Sequence, residues 1–184
     1  MHLVLEITKK EGEDKGRSKF FLPKILCNQK VSYICATKRF RFMKRDVFQG
    51  REIDMIKQSR KFILVLINDL AVEQLNVIPV GFNNNIIWNV GHLIWAQQEV
   101  CYRRSGLKIQ VEDKYFSPFR SGSKPDAFAD EKEIIVIKQL LISTIDQFIT
   151  DLENNVFIID DAVSGLSFHD WLHAGYIMAL KRLV

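Results

Sequence analysis

Cysteine, long apolar runs and histidine are all scarce in this chain of 184 residues. Cysteine occurs three times, at Cys27, Cys35 and Cys101, with no C-x-x-C spacing. That argues against a disulfide framework and a cysteine-closed structural zinc site, and it fits reduced thiols in a cytoplasmic setting. No stretch approaches 18 uninterrupted apolar residues, so no membrane span is expected. The opening, Met1 to Glu6, does not read as a signal peptide, because its apolar run breaks at Glu6. Histidine occurs only four times, at His2, His92, His169 and His173. With so few, their placement carries most of what the sequence says about chemistry.

What is present is ordinary for one soluble domain, 47% hydrophobic and 26% charged. The net charge of +4 is unevenly spread. Residues 1–54 carry 13 Lys/Arg against 7 Asp/Glu, and residues 55–184 carry 13 against 15. The basic run from Lys38 to Arg45, with Phe40 and Phe42 between, reads as part of a solvated extension. The competing reading, a phosphate-contacting strip, rests on that run alone, so no nucleic-acid partner is expected. Residues 1–50 are assigned to a basic N-terminal extension and residues 51–184 to the compact domain.

Four helices are expected in that domain, which places it in the all-α class. Arg51 to Leu75 has Ile56, Ile63, Leu66 and Leu70 on a helical stripe and no Pro or Gly inside it. After a short loop with Pro79 and Gly81, a second helix runs from Asn84 to Ser105, with Gly106 as its stop. A loop that short makes the first two helices antiparallel neighbours. A long connection, Leu107 to Asp130, is of a length often found in lids or binding walls. A third helix covers Glu131 to Glu153, and Val156 to Ile159 could pack as an extended piece. The last helix runs from Gly165 to Arg182.

Leu166, His169, His173, Tyr176, Leu180 and Leu183 are spaced 3, 4, 3, 4, 3, the period of an inward helical seam. Trp88, His92, Trp95, Glu99 and Tyr102 form a similar seam on the second helix. A buried imidazole without a partner is costly, and one divalent metal would account for three of them. His92, His169 and His173 are therefore the candidate ligands. Three nitrogens leave a position open for water or substrate, the pattern of a catalytic centre. Asp170, Tyr176 and Glu99 are candidates for orienting a ligand or moving a proton. The metal reads as zinc or nickel, with manganese or iron as alternatives. The three tryptophans read as core or pocket wall, and Cys101, opposite His92, as a packed thiol. Matching the depth of the histidines along their helices places the second and last helices parallel.

Three stretches resemble the DinB-like family. Asn83-Asn84-Asn85-Ile86-Ile87-Trp88-Asn89-Val90-Gly91-His92-Leu93, with Tyr102 and Ser105-Gly106-Leu107 after it, is similar to that family's second-helix motif. Arg120 to Pro125 is similar to its interhelical loop, and Phe168 to Tyr176 to its last-helix motif. The resemblance covers about residues 50–184 and leaves residues 1–45 unmatched. It implies a four-helix bundle holding a divalent metal on His92, His169 and His173. Some relatives are thiol-dependent transferases or isomerases that use a low-molecular-weight thiol, and others are described as metal-dependent hydrolases. The expected function is thus a metal-dependent hydrolase or thiol transferase acting on a small substrate. The alternative is a non-catalytic metal-binding bundle that serves as a binding or sensing module. A homodimer is left open.

Overall fold

The computed structural model describes residues 33–154, 156 and 161–184, with side chains from residue 50 in the first helix and from residue 165 in the last. The described residues are helical and contain no strand. In chain order the elements are α1 (Tyr33–Leu66), α2 (Val72–Asn76), α3 (Ile86–Gln97), α4 (Glu131–Glu153) and α5 (Asp161–Lys181). The four long ones form the expected bundle. The side chains of Lys38 to Arg45, and most of Val156 to Ile159, lie outside the described residues.

α1 begins 18 residues before the expected Arg51 and ends at Leu66, short of Leu75. No Pro or Gly marks that end. It is made by a turn in which Leu70 N donates to Ile67 O, and by Lys181, whose Nζ donates to Leu66 O at 2.7 Å and pairs with Asp69 at 2.5 Å. A cation at a helix C-terminus satisfies carbonyls that have lost their helical donors. Chain continuing past the turn forms α2, where Gln74 Oε1 accepts from Ala71 N.

α3 carries the densest burial, with every residue from Ile86 to Ile94 buried. Asn85 caps it by accepting from Trp88 N at 2.8 Å. After Gln97 the chain widens into a π turn, Gln98–Tyr102, then a 3₁₀ turn, and Gly106 stops it at φ 73°. A π turn spends an extra residue per turn, so side chains beyond Gln98 fall out of phase with the 3.6-residue pattern. Tyr102 accordingly points inward and donates to Asp151 of α4 at 2.6 Å. α4 keeps the expected bounds. Asp130 accepts from Glu133 N, and the Glu133 carboxylate accepts from Asp130 N, a reciprocal cap.

Around the bundle the order of neighbours is α1, α5, α3, α4 and back to α1. α1 and α5 run the same way, since Ile56 and Leu166 share one end of the core and Leu66 meets Lys181 at the other. α3 runs against α5, because Asn89 meets His173 while Ala96 packs in the cluster of Leu166. The parallel arrangement expected from helix depths is thus overturned. Regular helix ends at Gln97 rather than Ser105, which puts His92 about 8 Å from that end at 1.5 Å per residue. α5 also starts four residues before Gly165. α1 and α3 are antiparallel, as their short connection requires, but they lie diagonally across the bundle rather than side by side.

One core cluster, with Ile63, Ile67, Leu75, Leu93, Ile137, Leu141 and Ile177, fills the end near α2. A second, with Ile56, Ala96, Tyr102, Ile145, Phe148 and Leu166, fills the other. A polar layer centred on Arg60 lies between them.

Candidate metal centre

His92 comes from the middle of α3, and His169 and His173 lie one turn apart on α5. Their ring centroids are 5.2 Å (His92–His169), 5.0 Å (His92–His173) and 4.5 Å (His169–His173) apart. One ligand nitrogen from each lies within 4.8 Å of the other two. The structure therefore brings together the three histidines that the sequence singles out. They do not fill the deepest seam of α5. That seam is Leu166, Asp170, Ala174, Ile177 and Leu180, all buried, while His169, His173 and Tyr176 are half-buried at its edge and Leu183 is exposed. The cluster sits where α3 meets the margin of α5, with His92 buried and His169 open to one side.

In His92 and His173 the Nδ1 atom is taken by an acceptor outside the cluster. Nδ1 of His92 lies 2.8 Å from Phe119 O, and a carbonyl can only accept, so this nitrogen carries the proton. Nδ1 of His173 lies 2.8 Å from Asn89 Oδ1. The Asn89 amide is oriented by its own Nδ2, which donates to Asn85 O at 2.7 Å, so its oxygen faces the ring and Nδ1 again donates. Both rings thus keep Nε2 unprotonated and available to a metal. For His169 the facing acceptor is Asp170 Oδ1, 3.8 Å from Nδ1.

Burial holds both of the better-shielded rings neutral. Desolvation lowers the His92 pKa, partly offset by the Phe119 carbonyl. Desolvation, then the neighbouring His169 and His92, lowers that of His173 to about 3. Neutral imidazole is the form that binds a metal. The donor set therefore fits a divalent ion held by three nitrogens, with the remaining positions toward the open side.

The wall is aromatic. His92 is stacked between Trp88 and Trp95, with centroids 4.8 and 5.1 Å away. Phe116 continues the wall beyond Trp95. The long connection between α3 and α4 closes it from outside. Pro118 O accepts from the Trp88 indole, and Phe119 O takes the His92 proton described above. The Phe119 ring lies on α3 at Gly91, where any Cβ would overlap it.

The candidates for orienting a ligand or moving a proton separate in space. Asp170 is wholly buried and pairs through Oδ2 with Arg60 Nε at 2.9 Å. Tyr176 is half-buried with its ring against Phe82 at 5.6 Å. Glu99 lies in the π turn and is paired with Arg103 and Arg104 at 3.4 and 3.5 Å. Cys101 is buried, as expected of a packed thiol.

Three contributors escape sequence reasoning. The Phe119 carbonyl is a backbone atom, and nothing in a side-chain pattern marks it. Asn89 falls within the quoted motif, and its spacing from His92 gives no hint that it serves His173. Arg60 sits beside Lys61 in a charged stretch that reads as solvent-facing.

A family model of the DinB superfamily matches residues 55–177. No curated protein and no solved structure matches the chain. The matched span runs from α1 past the last of the three histidines and takes in most of the bundle core. This chain belongs to the DinB superfamily.

Proposed function

We propose that His92, His169 and His173 hold a divalent metal, zinc or nickel ahead of manganese or iron, and that the protein is a metal-dependent hydrolase or thiol-dependent transferase acting on a small substrate in the cytoplasm. The observation that carries this is the shared orientation of His92 and His173. Each turns a protonated Nδ1 to an acceptor and leaves Nε2 free beside an open face. Such a metal, when bound, would polarise an electrophile or lower the pKa of a bound water or thiol. The chain's own residues do the rest. Asn89 and the Phe119 carbonyl fix the two rings. Trp88, Trp95 and Phe116 keep water from one side and offer an apolar surface to a substrate. Asp170 Oδ1 faces His169 Nδ1 at 3.8 Å and is the candidate acceptor for that nitrogen. Tyr176, three residues past His173, is the candidate proton donor to a substrate entering from the α5 margin.

One observation favours a non-catalytic metal-binding bundle as a second reading. Both carboxylates considered for proton transfer are already engaged by arginines, Asp170 by Arg60 and Glu99 by Arg103 and Arg104. Neither is a free general base. Metal analysis of untagged protein, followed by a screen of small thiols paired with electrophiles and of hydrolysable esters and amides, separates the two. Stoichiometric metal with turnover that a chelator abolishes supports the enzyme. Stoichiometric metal that raises the unfolding temperature without any turnover supports the binding module. Protein that neither carries nor takes up metal overturns both.

A further inference from the structure

Arg60 is the largest fully buried side chain in the described core, 1% exposed. Taking a guanidinium out of water is expensive, and every polar hydrogen then needs an acceptor. Arg60 reaches all four long helices. From its place on α1, Nη1 donates to Gln97 Oε1 of α3 and to Leu141 O and Thr144 Oγ1 of α4. Nη2 donates to Leu93 O of α3, and Nε to Asp170 Oδ2 of α5. An apolar residue of similar volume would fill the same space, so packing alone does not call for this group.

The loose ends of the arrangement lie at its junction with the histidines. Asp170 Oδ1 and His169 Nδ1 are both buried without a hydrogen-bond partner among the described residues, and they face each other at 3.8 Å. The other two histidines have their acceptors in place at 2.8 Å. His169 is the one ring whose second nitrogen is not closed, and Asp170 Oδ1 is the acceptor left over.

We propose that Arg60 is a positioning residue for the metal centre: by holding Asp170 through Oδ2 it aims Oδ1 at Nδ1 of His169, and so sets the direction in which that ring presents Nε2. This rests on the three-histidine metal reading and adds to it a residue 110 positions away in the chain. A planar fork is required, because a lysine ammonium cannot reach Asp170, Gln97 and two backbone carbonyls from one point. Metal loading closes the 3.8 Å gap to hydrogen-bond length. The packing of α1, α3 and α4 is thereby coupled to one ligand on α5.

The test uses full-length protein with Co(II) as probe, reading its visible spectrum and its affinity in competition with a chelator. Arg60→Lys and Asp170→Asn are compared with Thr144→Val, which removes a different Arg60 partner and leaves Asp170 alone. Helical circular dichroism and cooperative unfolding of the apo-protein establish that each variant folds. Arg60→Lys and Asp170→Asn are expected to weaken Co(II) binding about 10- to 100-fold and to alter its spectrum. Thr144→Val is expected to lower the unfolding midpoint while keeping wild-type affinity and spectrum. Wild-type binding by folded Arg60→Lys, or equal weakening by Thr144→Val, would overturn the proposal, the latter because general loosening would then explain everything. If Arg60→Lys does not fold, the ring ¹⁵N shifts of His169 in loaded wild-type protein decide. A protonated Nδ1 whose resonance moves in Asp170→Asn supports the link, and one that does not move refutes it. Wild-type protein that binds neither Co(II) nor Zn(II) would instead sink the metal reading itself, and this inference with it.

Discussion

Two polar clusters adjoin on α5, and they solve burial in opposite ways. At Asp170 the carboxylate and its arginine are sealed between both core clusters, with side-chain exposures of 0% and 1%. Arg60 spends its donors inside the bundle. At His169 and His173, about 100° and about 60° around the same helix from Asp170 and both on the same side of it by α-helical geometry, the rings lie at the margin. There two rings of the cluster are satisfied at one nitrogen only. A guanidinium whose bonds reach three other helices fixes their register. A group with one bond made on the protein side and one nitrogen left over is ready for a ligand. The contrast shows that burial alone does not distinguish a structural polar group from a binding one. What separates them is how many of their hydrogen-bonding positions the protein itself uses.

Breaking the sealed cluster should have the largest effect. Arg60→Met leaves Asp170 as an uncompensated buried charge and is expected to cost about 3–5 kcal/mol in urea unfolding of the apo-protein. Adding Asp170→Leu should recover most of that loss. A double variant as unstable as the single one would show that charge pairing is not what the site contributes.

Opening the histidine cluster should do the reverse. His173→Ala should abolish stoichiometric metal binding, yet change apo stability by less than about 2 kcal/mol, because a half-buried ring is lost and no charge is stranded. Metal content after dialysis and a urea titration of the same sample test both halves. An apo-protein that no longer unfolds cooperatively would place His173 among the structural groups.

Acid sharpens the comparison further. In the unfolded chain a histidine takes a proton near pH 6.5. In the folded chain His92 is shifted down and His173 titrates only at about 3. Between those values the unfolded state binds more protons, so apo stability is full above about pH 6.5 and falls as pH drops toward 3. Bound metal competes with the same protons and should make the decline steeper by leaving as pH falls. Unfolding midpoints between pH 7.5 and 4, with and without Zn(II), measure this. An apo midpoint that rises on acidification would contradict the neutral, buried assignment.

The smallest effect belongs to an ion pair outside both clusters. Arg103 and Arg104 are well exposed where they meet Glu99. Glu99→Gln should therefore shift stability by less than about 1 kcal/mol. It should leave metal affinity unchanged, which equilibrium dialysis would show.

The three-histidine cluster was legible because histidine is rare here and recurs at helical spacing on apolar seams. The bundle was legible from the apolar periodicity of its long helices, and in α4 Ile134, Ile137, Leu141, Ile145 and Phe148 all turn inward. The direction of α3 relative to α5 was not, because the depth argument needed the end of α3, and a π turn has no sequence mark. The break after Leu66 was hidden for a related reason. It depends on Lys181, 115 residues later in the chain, arriving to take a carbonyl. Arg60 illustrates the general limit. Its chemistry is set by five acceptors on three other helices, and no local pattern reports them.

The contact between Gly91 and Phe119 bears on how far this chain can vary. Position 91 is closed to every other residue while the Phe119 ring lies on it, and the carbonyl of that same residue 119 holds His92. Gly122 turns the chain at φ 82° in open space, and the stretch from Gly106 to Asp113 is hydrogen-bonded back to the turns that end α3 through Arg103 O, Tyr102 O and the Gln98 side chain. Insertions and exchanges are therefore affordable in those outer parts of the connection, and not between Phe116 and Phe119. A library randomised at residue 91 and across residues 107–128 should return folded, metal-binding members that differ freely at both ends of the loop window but keep the length of chain from Phe116 to Phe119 and the glycine facing it on α3.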